Sequence, residues 1–144
     1  MSYAIAVLLT AGVLLLTVLT HYEGIRLLNR FAHGPRRGNR MMLATVCAGL
    51  IGVHLFEIGC YAAVFALGAG PLGLGEIQAA RPLDPADYFH YAAEAYASLG
   101  SADMTATGDL RLIASISPLN GILLLAWSGA FLFSLFDEIR ERPA

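Results

Sequence analysis

Three long apolar segments dominate the chain. The stretches Ser2–Thr20 and Leu112–Phe136 contain no charged residue. Between them, Met41–Gly70 is interrupted only by His54 and Glu57. A helix needs about 20 mostly apolar residues to cross the hydrocarbon core of a bilayer. The pattern therefore predicts three transmembrane helices in an integral membrane protein.

Composition supports this interpretation and excludes several classes of protein. The chain has 144 residues, of which 57% are hydrophobic and 14% charged, and its mean hydropathy is +0.63. Soluble domains carry roughly 25% charged residues. We therefore exclude a soluble enzyme domain, a nucleic-acid-binding protein and a disulfide-stapled secreted module. Met1-Ser2-Tyr3 carries no side-chain charge ahead of the first apolar segment, which favours a permanent helix over a signal peptide.

Charge predicts the orientation in the membrane. All nine basic residues are arginines, and five of them lie between the first two apolar segments: Arg26, Arg30, Arg36, Arg37 and Arg40. Arginine-rich short loops stay on the cytoplasmic side. We expect a multi-pass protein of the cell (inner) membrane with its N-terminus outside, its C-terminus in the cytoplasm, and these arginines on anionic lipid headgroups.

The connection between the second and third spans, Pro71–Arg111, predicts a further membrane element. Asp84-Pro85 is a helix start, because aspartate caps the first turn and proline fits the first helical position. A helix over 85–97 is too short to cross a bilayer, but it has the length of a half-helix that dips into it. The small residues that follow, 98–103, are expected to run extended, which is tolerated at membrane depth only inside protein or beside water.

The residues after this half-helix resemble a known family. Tyr96-Ala97-Ser98-Leu99-Gly100-Ser101-Ala102-Asp103 looks like the potassium-channel signature Thr-Thr-Val/Leu-Gly-Tyr-Gly-Asp. The runs His21-Tyr22-Glu23, His54-Leu55-Phe56-Glu57 and Trp127–Phe133 are similar to a bacterial group of small ion-channel proteins with an additional N-terminal helix.

The resemblance implies a fold and an assembly. It implies an all-α membrane protein with three transmembrane helices, a re-entrant pore helix and filter loop between the second and third, and four copies around one pore. The implied segments are an accessory transmembrane helix (1–21), a cytoplasmic arginine-rich linker (22–40), a pore module (41–138) and a cytoplasmic tail (139–144). Within the pore module they are an outer helix (41–69), pore helix (85–97), filter (98–102) and inner helix (112–136).

The resemblance also implies site residues. The selectivity filter would comprise Ser98, Leu99, Gly100, Ser101 and Ala102, supported by the carboxyls of Glu94 and Asp103. Ser98, Ser101 and Ala102 stand where the family has threonine, tyrosine and glycine. If the backbone at Ala102 needs positive φ, the alanine costs on the order of 1 kcal/mol per subunit. Gly121 matches the depth of a gating hinge, although a glycine there could equally serve helix packing.

The implied function is a homotetrameric channel for monovalent cations such as potassium or sodium, with selectivity that can be weak. The alternative is a channel-fold protein that does not conduct and acts as a membrane scaffold or partner-binding subunit. We expect no enzymatic activity, no cofactor and no nucleic-acid partner. No nucleophile and base pair at catalytic spacing supports an enzyme.

His54 and Glu57 are three residues apart on the second span, so they share one helix face. We interpret this intramembrane polar pair as hydrogen bonds that fix helix packing, with gating or proton sensing as an open alternative. No Glu-x-x-His pair is present and no cysteine joins a histidine at ligand spacing, so the sequence predicts no metal site.

Overall fold

A computed structural model describes residues 1–34 and 39–141. The elements in chain order are α1 (Ser2–Ala32), α2 (Asn39–Ala69), β1 (Ile77–Gln78), α3 (Pro85–Tyr96), β2 (Thr105–Ala106) and α4 (Leu110–Glu141). In the described part of the chain, three helices, α1, α2 and α4, are long and apolar enough to cross a membrane. The expected helical membrane fold is confirmed at this level.

Two of the long helices extend further than the sequence analysis predicts. α1 continues beyond Thr20 to Ala32, so most of the expected linker 22–40 is helical. α4 begins at Leu110 and continues to Glu141, into the expected tail. The prediction ended each span where charges begin, but a charged residue does not end a helix. Glycine and proline do, and Gly34-Pro35 is the first such pair after α1.

α1 is a full member of the helix bundle. It packs against both α2 and α4. At the end where the chain passes from α1 to α2, His33 Nε2 lies 2.9 Å from Glu138 Oε2 of α4. Thr17 and His21 of α1 are completely buried in these contacts.

The helix α3 starts as the sequence predicts. Asp84 caps it by accepting hydrogen bonds from the backbone N–H groups of Ala86 (2.8 Å) and Asp87 (3.2 Å). Asp87 reciprocates by accepting one from the backbone N–H of Asp84 at 2.7 Å, and it pairs with Arg81 at 2.7 Å. The backbone hydrogen bond from Asp84, followed by the hydrogen bond and charge of Arg81, holds the pKa of the Asp87 carboxyl below its usual range.

A short antiparallel strand pair holds the segments before and after α3 together. Ile77 of β1 pairs with Ala106 of β2, and Gln78 pairs with Thr105. The Thr107 hydroxyl adds two contacts of 3.0 Å, accepting from the backbone N–H of Glu76 and donating to its carbonyl. The sequence analysis missed this pair because strands of two residues have no periodicity to detect. The pair closes the connection into a loop with α3 as its central element.

Candidate functional site

The C-terminal end of α3 lies against the middle of the long helices. The Tyr96 hydroxyl donates to Glu57 Oε2 at 2.6 Å and lies 2.9 Å from His54 Nδ1, both on α2. One and a half turns earlier on α3, the Tyr91 ring packs against Phe65, nearer the end of α2. α3 therefore runs back along α2 from its C-terminal end towards its centre.

Gly121 of α4 is the point of closest approach to α3. Its Cα lies so near the Tyr96 backbone carbonyl that a Cβ at position 121 would overlap the carbonyl oxygen and carbon. A glycine is therefore required here for space, independently of any bending of α4. Of the two roles that the sequence left open for Gly121, the structure supplies the packing reason.

The loop after α3 does not start in extended conformation. The backbone N–H of Leu99 bonds to the Glu94 carbonyl at 2.9 Å and that of Ser98 to the Ala95 carbonyl at 3.1 Å. This is a Schellman cap, in which the residue after the C-cap adopts the left-handed conformation. That residue is Ser98, with φ of 60°. The expectation of an extended run over 98–103 is wrong at its first residue.

The positive φ that the sequence analysis considers for Ala102 occurs at Ser98 instead. Among residues 1–34 and 39–141, Ser98 is the one residue other than glycine with positive φ, while Gly100 has φ of 72°. A Cβ in this conformation crowds the following carbonyl and costs roughly 1–2 kcal/mol. The energetic cost of positive φ therefore arises at Ser98, which follows the C-cap of α3, and not at Ala102.

This conformation predicts opposite effects for two substitutions of Ser98. Ser98→Gly should raise the free energy of unfolding by about 1 kcal/mol per chain, because glycine adopts positive φ freely. Ser98→Thr should lower it by a similar amount, since a β-branched side chain is disfavoured at positive φ. Thermal unfolding in detergent would measure both.

Ala97→Gly is the matched control for Ser98→Gly. Ala97 has an ordinary φ of −79°, so glycine relieves no strain there and should be neutral or mildly destabilising. If Ser98→Gly is no more stable than Ala97→Gly, the left-handed cap does not exist in solution.

The loop residues are open to the surroundings of a single chain. Ser98, Leu99, Gly100 and Ala102 are exposed, Leu99 by 77%, and Ser101 is half-buried. A cavity of about 390 Å³ lies between this loop, α3 and α4. The filter residues named from the sequence therefore form one accessible surface.

The two carboxyls expected to support the filter differ in their surroundings. Asp103 is exposed and accepts from the Ser101 hydroxyl at 3.3 Å. Glu94 Oε2 is buried, and no hydrogen-bond partner for it is found in the described part of the chain. The pairing of Glu94 with Asp103 therefore stays a prediction, and Glu94 is left with a buried acceptor that needs a donor.

A buried polar cluster lies immediately beside the end of α3. We define it as His21, His54, Glu57, Tyr96 and Ser128. His21 and Glu57 are completely buried, and His21 Nδ1 lies 3.0 Å from Glu57 Oε1. His54 Nδ1 lies 3.1 Å from Glu57 Oε2. Ser128 Oγ lies 3.0 Å from His54 Nε2 and 3.3 Å from His21 Nε2. The cluster joins all four helices.

The sequence pointed to part of this cluster. His54 and Glu57 were singled out as a polar pair on one helix face, and the hydrogen bonds expected of them are present. The contributions of His21, Tyr96 and Ser128 were missed, since they come from other helices at no fixed spacing. The signal that could have found them is that each of these polar residues lies in or beside an apolar helical segment.

A second set of interhelical hydrogen bonds lies about two turns before Ser128 on α4. The Asn120 side-chain amide donates to Thr17 Oγ1 of α1 at 2.8 Å and to the Tyr61 hydroxyl of α2 at 3.0 Å. The Tyr61 ring in turn packs against Tyr96. Interhelical hydrogen bonds of this kind fix the packing of membrane helices.

The arginines expected at lipid headgroups are only partly described. Arg26 of α1 pairs with Glu23 at 3.1 Å on the exposed face. Arg30 lies in the last turn of α1, and Arg40 in the first turn of α2. Arg36 and Arg37 lie outside the described residues, so their expected headgroup contacts stay a prediction.

Comparison with known proteins gives no match: no protein-family model matches the chain, and neither a curated protein nor a solved structure matches it significantly.

Proposed function

We propose that this protein is a homotetrameric, potassium-channel-like membrane channel that conducts monovalent cations past the loop Ser98–Ala102. The observation that carries the proposal is the position of the end of α3. A helix of 12 residues begins at the strand pair and ends beside residues in the middle of α2 and α4. In a membrane crossed by the three long helices, we infer that the loop after α3 lies near mid-depth.

The electrostatics of this end favour a cation. The C-terminus of a helix carries the equivalent of roughly half a negative charge. The residues of the loop that follows are mostly exposed, and backbone carbonyls of such a loop can replace the hydration shell of a cation when several copies surround it. One copy supplies too few oxygens to enclose an ion, so the function requires a closed ring of subunits.

Two features of the single chain fit such a ring. The loop residues and a large part of the apolar surface of α4 are exposed, including Leu119 (69%) and Leu123 (59%). Glu94 also keeps a buried oxygen without a partner in the described residues. A neighbouring subunit can cover the exposed loop and the apolar surface of α4, and it can supply a hydrogen-bond donor to Glu94.

The proposed orientation places the N-terminus outside and the C-terminus in the cytoplasm of a bacterial-type inner membrane. The support is the arginine-rich connection between α1 and α2, which meets the end of α4 through His33 and Glu138. In this orientation the strand pair and the start of α3 lie on the outer side of the membrane, and cations reach the loop from that side.

The test is ion flux into vesicles that contain the purified protein. We expect flux of potassium and sodium, exclusion of large organic cations, and a tetrameric mass in mild detergent. Ala102→Lys should abolish the flux, because four ammonium groups beside the pathway repel cations. Ala80→Lys places the same charge on an exposed residue before α3 and should leave the flux intact.

The measured mass and the cation flux distinguish the channel from the alternatives. A monomeric or dimeric mass overturns the channel proposal. A tetramer with no cation flux at all overturns conduction and supports the non-conducting scaffold or partner-binding subunit. Equal flux through Ala102→Lys and the wild type shows that cations do not pass this loop.

A further inference from the structure

Three potential metal ligands converge in the buried polar cluster. One ligand atom each from His21, His54 and Glu57 lies within 4.8 Å of the other two. The His21 Nδ1 to Oε1 and His54 Nδ1 to Oε2 distances are 3.0 and 3.1 Å. Ligands at about 2.0–2.2 Å from a tetrahedral zinc ion are roughly 3–3.5 Å apart. Each histidine nitrogen therefore already lies at a ligand-to-ligand distance from one oxygen of the Glu57 carboxylate.

The hydrogen bonds of the cluster need one more hydrogen atom than its side chains carry when both histidines are neutral. Five contacts need a hydrogen: His21 to Glu57, Tyr96 to Glu57, His54 to Tyr96, and Ser128 to each histidine. With Glu57 ionised and both imidazoles neutral, each histidine, Tyr96 and Ser128 supplies one, which makes four. One Nε2 lone pair then faces the Ser128 oxygen without a hydrogen. An additional cation held at the Nδ1 atoms would remove this mismatch.

We propose that His21 Nδ1, His54 Nδ1 and the Glu57 carboxylate bind a divalent transition-metal ion of the zinc class. With both Nδ1 atoms on the metal, both Nε2–H groups donate to Ser128 Oγ, which has two lone pairs. The Tyr96 hydroxyl holds Oε2 of Glu57. Such outer hydrogen bonds are what orient metal-bound histidines and carboxylates. Two histidines and one carboxylate are an established zinc ligand set.

The surroundings favour a bound cation. Tyr96 is the last residue of α3, so the partially negative end of this helix lies next to Glu57. His21 and Glu57 are completely buried, so the ion would be shielded from bulk solvent. The ion would tie α1 to α2 and, through Tyr96 and Ser128, to α3 and α4.

This proposal departs from the sequence expectation of no metal site. His21 and His54 lie on different helices, so no ligand motif of fixed spacing exists. The proposal is also independent of ion conduction, because its test measures bound metal and not flux.

The test is metal binding by the full-length protein in mild detergent. Protein stripped with a chelator and loaded with Zn²⁺ should retain one ion per chain by elemental mass spectrometry. Co²⁺ in its place should give the visible absorption of a protein-bound ion. His21→Gln and His54→Gln should lose the ion, and Ser128→Ala should weaken binding by about 10- to 100-fold. His90→Gln, at an exposed histidine of α3, should bind as the wild type does.

Two results would overturn the proposal. One is Zn²⁺ affinity of the wild type equal to that of His21→Gln and His54→Gln. The other is a wild-type melting temperature that depends on pH but does not rise with added Zn²⁺, in which case the additional cation is a proton. The second measurement uses wild-type protein alone, so it decides the question even if a variant does not fold.

Discussion

Replacement of Glu57 by leucine is expected to lower the free energy of unfolding by about 2–5 kcal/mol, because interhelical hydrogen bonds in membranes contribute roughly 0.6–1.7 kcal/mol each. Glu57 faces three partners: His21 and Tyr96 on other helices, and His54 on its own helix. Leucine has a similar volume but leaves the partners buried without an acceptor. Each buried donor that is left without an acceptor costs about 1–3 kcal/mol, which gives a total in the same range.

Glu23→Leu is the matched control for this prediction. Glu23 is on α1, its side chain is 60% exposed, and within the described residues it pairs with Arg26 at the surface. Loss of an exposed pair typically costs about 0–1 kcal/mol. Unfolding of both variants in the same detergent gives the comparison. If Glu57→Leu is as stable as Glu23→Leu, the buried polar cluster does not hold the helices together.

Replacement of Gly121 by alanine is expected to separate the end of α3 from α4. The new Cβ would overlap the Tyr96 carbonyl, which is backbone and cannot rotate away. Overpacking of this kind typically costs about 1–3 kcal/mol. The shift would also displace Ser98 and the loop that follows. We expect both a lower melting temperature in detergent and loss of the proposed cation flux.

Gly129→Ala tests the same substitution on the same helix without the contact. A Cβ at position 129 meets no atom within 4 Å, and alanine favours a helix over glycine by about 1 kcal/mol. This variant should be as stable as the wild type or more so. If Gly121→Ala keeps full stability and loses only flux, the glycine serves as a hinge and the packing explanation fails.

Features of the fold that depend on residues close together in the chain could be predicted from the sequence. The apolar segments located the three long helices, since only a helix satisfies every backbone group in lipid. Asp84-Pro85 located the start of α3, because capping depends on residues next to each other in the chain. The ends of α1 and α4 were misjudged, since charge marks the edge of the membrane and not the end of a helix.

The tertiary structure decided what those elements do for one another. Gly121 needs to be glycine only because α3 ends against it, and Ser98 is strained only because the cap turns there. His21 and Glu57 form a cluster only because α1 packs beside α2. The sequence by itself determined a membrane protein with three spans and a short capped helix. Which polar groups meet inside it depends on packing between distant segments, which spacing along one chain does not encode.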